Sequence, residues 1–217
     1  MEVQPFSVQR EWTVEQVPVL SAAVSVPQPV PDRDKVPRRI RRYYQTQCRA
    51  YLRYCETELL PLAEREYRAA LANSAPLPLL RAELTYQITY QDDRFLSLYT
   101  QSTESAGGHT LRLRRGDTWD LAAGYPVPLT AFFPARSHWR RQLLDAAAEE
   151  ILRQERAGMA QYHPHWRKAL RRAFNPRNYY LTPEGLAFFF PMYAIAPAAE
   201  GIPVFHIPYP QGHAALE

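Results

Sequence analysis

Few side chains in this sequence have both the type and the spacing to do chemistry. His163-Pro164-His165 brings two imidazoles into one short stretch, and imidazole is a good ligand for first-row metals. A metal centre needs three or four convergent ligands. No third donor is visible, so the pair reads as exposed histidines in a loop or at a helix start, and no metal or cofactor is assigned. Asp117 and Asp120 stand three apart. Acid–base catalysis uses two carboxyls in contrasting environments, but Gly116-Asp117 reads as a turn and both acids as turn or strand-edge residues. A hydrolase would need Asp117, Asp120 and His109 grouped in one pocket. His138 and His206 stand alone. The nucleophile elbow, the phosphate-binding loop, the dinucleotide fingerprint and the HExxH zinc helix are all absent from the sequence. No catalytic residue is assigned, and these absences remove common enzyme classes but not all enzymes.

Cys48 and Cys55 lie seven apart within a helical pattern. Two helical turns rise about 10 Å, beyond the roughly 7 Å Cα separation that a disulfide tolerates. Both read as buried structural thiols.

Two basic clusters stand out. Arg38, Arg39, Arg41 and Arg42 crowd the start of a long helix, and Arg167, Lys168, Arg171 and Arg172 lie between Trp166 and Phe174. Cations with aromatics can bind nucleic acid or an anionic surface, which makes such a binder one alternative function. Solvated helix faces balanced by acids elsewhere are the plainer reading, and nucleic acid is not the expected partner. The run Phe188-Phe189-Phe190-Pro191-Met192-Tyr193 is the most unusual segment. It suits either core or an exposed hydrophobic anchor.

These residues need elements to hold them. Val, Phe and Trp with alternating character predict strands over 5–15 and 18–30, with Pro27, Pro29 and Pro31 marking an edge strand or an irregular exit. Asp32 or Asp34 is an N-cap for a helix over 34–74. Ile40, Tyr44, Cys48, Leu52, Cys55 and Leu59 form its apolar stripe, and Pro61 breaks or kinks it. Three antiparallel strands follow over 80–116, then a short strand near 125–129. A second long helix covers 137–157, with Ser137 as N-cap and Gly158 as stop, and a short basic helix covers 164–174. The end, 178–209, reads as strand, turn, strand, irregular segment and strand. The fold class is α+β: a mainly antiparallel sheet with two principal helices packed on it. The chain divides into a strand pair plus long helix over 1–78 and a sheet with helices over 79–217, or forms one continuous domain.

The chain has 217 residues, 46% of them hydrophobic, a net charge of +4 and a pI near 9.1. That composition supports a packed core and excludes global disorder. No signal peptide is legible at Met1–Pro5, and the longest apolar run, Leu186 to Ala199, contains two prolines and is too short to span a bilayer. Oligomeric state is not legible.

The C-terminal third carries a resemblance. Asn178-Tyr179-Tyr180-Leu181-Thr182-Pro183-Glu184-Gly185-Leu186 is followed by Phe188–Phe190, Pro191, Tyr193, Ile195-Ala196-Pro197, Gly201-Ile202-Pro203 and Ile207-Pro208-Tyr209. This pattern resembles the C-terminal domain of the lysozyme-sensing anti-sigma-V factors. A similar domain accompanies some peptidoglycan deacetylases, in which a separate domain does the chemistry. The resemblance implies a sensor-type module at the bacterial envelope, without catalysis of its own, that recognises lysozyme or cell-wall material. It implies an extracytoplasmic location, while the missing signal peptide leaves the cytoplasm open. It also places the family's partner-facing Pro-x-Tyr pattern on Pro191, Met192 and Tyr193. The two nearby prolines, which deny regular pairing, predict that this segment lies at the surface.

Overall fold

The computed structural model describes residues 1–30 and 34–209. The elements run β1 (Glu2–Val14), β2 (Val17–Val30), α1 (Lys35–Tyr54), a π turn (Cys55–Leu59), α2 (Leu60–Ala72), β3 (Leu80–Gln91), β4 (Phe95–Ala106), β5 (His109–Asp120), β6 (Tyr125–Pro126), α3 (Trp139–Arg156), α4 (Trp166–Ala173), β7 (Tyr179–Thr182), β8 (Gly185–Phe189) and β9 (Val204–Pro208). The fold is α+β, as expected. Six strands form one sheet in the order β1-β2-β3-β4-β5-β6, and three form a second in the order β7-β8-β9. The chain makes two compact units. One is Met1–Tyr86 with Thr100–Arg112, and the other is Gln87–Tyr99 with Leu113 onward.

In the first unit, β1 and β2 form a hairpin closed by Glu15 and Gln16, both at positive φ (50° and 67°). Turns of this kind match the right-handed twist of the flanking strands. Pro27 lies opposite Pro5 in the register, so two residues without N–H groups face each other. β3 pairs with β2 only along Leu20–Val24, which leaves Pro27 and Pro29 where no second ladder needs their donors. The strand is therefore regular through Val30. The β2–β3 pairing is parallel, an exception within the sheet that was expected to be mainly antiparallel. It follows from the helices between them, because a parallel neighbour requires a long crossover.

The helical stripe is buried as predicted: Cys48, Leu52, Cys55 and Leu59 are all in the core, with Ile40, Tyr44, Ala63 and Tyr67. The helix does not break at Pro61. The N–H of Leu60 donates to Cys55 O, five residues back, and this widened π turn lets Pro61 fall in the first turn of α2, where a missing N–H costs nothing. Asp34 occupies the N-cap position, but its side chain makes no capping bond; Asp32 lies outside the described residues. Cys48 and Cys55 are free and buried.

In the second unit, β7 and β8 are buried along their whole length, whereas β9 exposes His206 and Pro208. Phe188, Phe190, Leu181 and Leu186 join α3 and α4 in one cluster, through Leu143, Ala147, Ile151, Trp166 and Leu170. Phe189, Tyr180 and Ala187 form a separate cluster against Tyr99. The alternation of a strand thus sends Phe188 and Phe189 to opposite sides, and the whole aromatic run to Phe190 is core. α3 begins at Trp139 with His138 at the cap position and no side-chain capping bond. Ser137 is not the cap; its hydroxyl is buried without a hydrogen-bond partner among the described residues. Gly158 does end the helix region, at φ 64°.

β7 meets β4 and β5 through backbone. A Cβ on Gly116 would stand 1.8 Å from Tyr179 O. Beside it, the Leu181 N–H donates to the buried Ser97 Oγ at 2.8 Å, and Ser97 Oγ also shares a 2.8 Å hydrogen bond with Thr118 Oγ1. Gly116→Ala is expected to destabilise the protein by about 3 kcal/mol, because the neighbour to be displaced is backbone and overpacking costs typically 1–3 kcal/mol or more; urea unfolding at unchanged m measures it.

Burial pushes the Cys55 thiol up to about 11, with the Glu104 carboxylate adding to the shift, and burial also raises Cys48 against the opposing charges of Arg10 and Arg49. Neutral thiols are favoured in the folded state. Their contribution is fully present below the unfolded value of 9.0 and is lost as pH rises toward about 11. A thiol reagent at pH 8 is expected to label neither cysteine until denaturant is added, and the unfolding midpoint is expected to fall between pH 9 and 11, less steeply in Cys55→Ala.

Candidate functional site

The exit from β8 builds the segment that the sequence singled out. Phe190 is fully buried and its N–H donates to Pro203 O at 3.0 Å. The chain then reverses: the Ala194 N–H donates to Pro191 O at 3.0 Å, which closes a four-residue turn with Met192 and Tyr193 in the middle. Tyr193 has φ 67° and Met192 has negative φ, the pattern of a turn whose third position normally takes Gly or Asn. A tyrosine in this left-handed region is a genuine outlier. The turn points its two central residues in opposite directions. Tyr193 is 52% exposed, whereas Met192 is 8% exposed. Met192 therefore corrects the expectation that the whole segment faces solvent: the reversal that frees Tyr193 turns Met192 inward. Pro191 is exposed.

Two neighbours hold the turn. Ile195 and Ala196 are fully buried in the main cluster. On the other side, the His163 N–H donates to Ile195 O at 3.0 Å, and its ring Nε2 lies 3.3 Å from Tyr193 O, where a protonated Nε2 donates to that carbonyl. Further along the same strap, the Gln161 N–H donates to Glu200 Oε1 at 2.9 Å. His163 is thus a brace for the turn. His165 sits exposed at the start of α4. Among the described residues no three His, Cys, Asp or Glu side chains are grouped to hold a metal.

The other sequence candidates disperse. His109 opens β5 and Asp120 ends it, so extended chain of about 36 Å separates them. Asp117 is buried beside Arg115 at 3.3 Å. Asp120 accepts the N–H groups of Ala122 and Ala123 at 2.8 Å each, the work of a turn-capping carboxylate. His206 is exposed on β9 opposite Ala187, and His138 is exposed ahead of α3. Among the first basic cluster, Arg38 Nε donates to Asp34 O at 3.3 Å. In the second, Arg167, Lys168, Arg171 and Arg172 are all exposed.

A polar cluster under the π turn was not legible in the sequence. The Tyr51 hydroxyl donates to Glu83 O at 3.0 Å, the Tyr54 hydroxyl donates to Glu104 Oε2 at 3.2 Å, and Gln47 Nε2 donates to Thr100 Oγ1 at 2.9 Å. Burial raises the Glu104 carboxyl, while the Tyr54 hydrogen bond opposes the rise. The i, i+3, i+4 spacing of Tyr51, Tyr54 and Cys55 places them on one side, but nothing local marks Glu104 as their partner.

Two solved structures share this fold. A DUF3298-family protein from Bacteroides fragilis NCTC 9343 aligns with a TM-score of 0.67 at 18% identity, over 96% of this chain and 90% of its own. A DUF3298-family protein from Pseudomonas aeruginosa PAO1 aligns with a TM-score of 0.60 at 17% identity, over 96% and 91%. No curated protein matches the sequence. Residues 130–210, which include α3, α4, the small sheet and the Tyr193 turn, match the family model described as Protein of unknown function (DUF3298).

Proposed function

We propose that this chain is a non-catalytic recognition domain of sensor type, and that its partner seats on the turn Pro191–Tyr193. The observation that carries this reading is the exposed Tyr193 side chain on a left-handed backbone. Such a conformation costs an L-residue roughly 1–2 kcal/mol, and strain of this kind clusters at ligand-binding positions. The buried Met192 and Ile195 and the His163 brace keep the tyrosine in one place. A tyrosine held this way offers a large contact area and loses little side-chain entropy on binding. The resemblance of the last third to lysozyme-sensing anti-sigma-V factors supports lysozyme as the partner. The kinship with domains beside peptidoglycan deacetylases supports cell-wall fragments as the second choice, and both support an envelope location.

Tyr193→Gly separates docking from structure. Glycine accepts φ 67° without strain, so the melting temperature of the variant is expected to stay level or rise. Its affinity for lysozyme or muropeptides, by calorimetric titration, is expected to weaken by about 2 kcal/mol, the scale of an interface hot spot. Unchanged affinity refutes the docking site. A large fall in melting temperature shows that Tyr193 is structural. Absence of binding by the wild-type chain to both ligands removes lysozyme and wall fragments as partners.

A further inference from the structure

Two stretches of this sequence carry cations and no acid: residues 35–55, with seven, and residues 156–183. Residues 156–183 contain six of the 26 Lys and Arg and none of the 22 Asp and Glu. Set against the remaining 189 residues, which carry 20 cations and 22 acids, a net −2, the stretch 156–183 has +6. α4 lies at its centre. Its buried side is Trp166 and Leu170. Its outer side presents Arg167, Lys168, Arg171 and Arg172, all exposed.

These four form two i, i+4 pairs of like charge, an arrangement that destabilises a helix by about 0.2–0.5 kcal/mol per pair. Three arginines on other helices have carboxylates at helical spacing: Arg68 with Glu64, Arg141 with Asp145 and Arg153 with Glu150. No described acid forms an ion pair with the four cations of α4. The surface there is concave. A hollow of about 540 Å³ is lined by Arg167, Lys168, Arg171 and Arg172. It shares Arg171 with a hollow of about 710 Å³ that reaches Arg140 on α3, and Lys168 and Arg172 with one of about 480 Å³ that ends at Ala194. Through these shared residues the hollows adjoin as one trough along α4, and Asp145 of α3 lines it as well.

We propose that this trough binds a linear phosphodiester chain through its phosphates alone. Arginine forks grip phosphate oxygens in bidentate fashion. A trough suits a strand better than a flat membrane, and none of the large apolar side chains exposed among the described residues stands on α4, so the face has nothing to insert into lipid. Nor does α4 expose an aromatic ring on which bases could stack, since Trp166 is buried. The inference does not depend on Tyr193.

The probe is a fluorescent abasic 20-mer of deoxyribose phosphate, titrated with the full chain at 50 and 200 mM salt. For four phosphate contacts, affinity is expected to fall about fiftyfold across that range. Replacing all four cations by Gln should abolish binding and the salt slope with the melting temperature held. Replacing Arg167, Arg171 and Arg172 by Lys should keep the slope. Tyr193→Gly should bind like wild type. A thymidine 20-mer should bind no more than a fewfold tighter than the abasic chain. The proposal is overturned by absence of binding at 50 mM salt, by binding that survives the quadruple Gln variant, by strong preference for the base-bearing strand, or by binding to phosphatidylglycerol vesicles but not to the abasic chain. Should the Gln variant unfold, a lost salt slope in Arg171→Glu with Arg172→Glu supports the proposal and an unchanged slope refutes it.

Discussion

The second unit depends on one close approach of backbone to backbone. At Gly116 the main chain of β5 comes so near Tyr179 that no side-chain atom fits between them. Once the strands are this close, the Leu181 N–H is out of reach of water, and a buried donor left alone costs about 1–3 kcal/mol. Ser97 supplies the acceptor, and Thr118 completes the shell of that hydroxyl. A small, largely hidden polar joint therefore sets where β7 runs. β8 and β9 follow by ladder pairing, and the aromatic run of β8 is divided between its two clusters by the pleat.

The Tyr193 turn is a consequence of that placement. Phe190 is tied to Pro203 and sunk in the core, so the chain must reverse within a few residues to bring Ile195 and Ala196 back into the same cluster. The reversal taken here is of the kind that places its third residue at positive φ. The position falls to a tyrosine where glycine would be relaxed. The burial on either side of it, with the His163 brace, is what holds the unfavourable backbone in place.

The helical face of the first unit shows the same economy in another form. Pro61 would interrupt an α-helix, yet the apolar stripe from Ile40 to Leu59 runs on into Ala63 and Tyr67. A single widened turn absorbs the missing donor and keeps both halves on β2. Earlier in α1, Gln47 Oε1 is buried without a partner among the described residues.

Periodicity alone determined much of this protein. The stripe Ile40, Tyr44, Cys48, Leu52, Cys55 and Leu59, the alternation of β3, and the Thr182–Gly185 turn are local patterns in which side chains three, four or two apart share a face, and each appears in the structure where the residues place it. The exposure of Tyr193 was legible for the same reason, since flanking prolines act on their own backbone. What the sequence could not determine required residues far apart along the chain. The parallel β2–β3 pairing depends on how a crossover folds back. The inward turn of Met192 depends on a φ that only core packing on both sides can impose. The meeting of Gly116, Ser97 and Leu181 arises from contacts between strands. No spacing along one strand encodes such contacts, because their energy comes from burial and hydrogen bonding that exist only once the sheets have met.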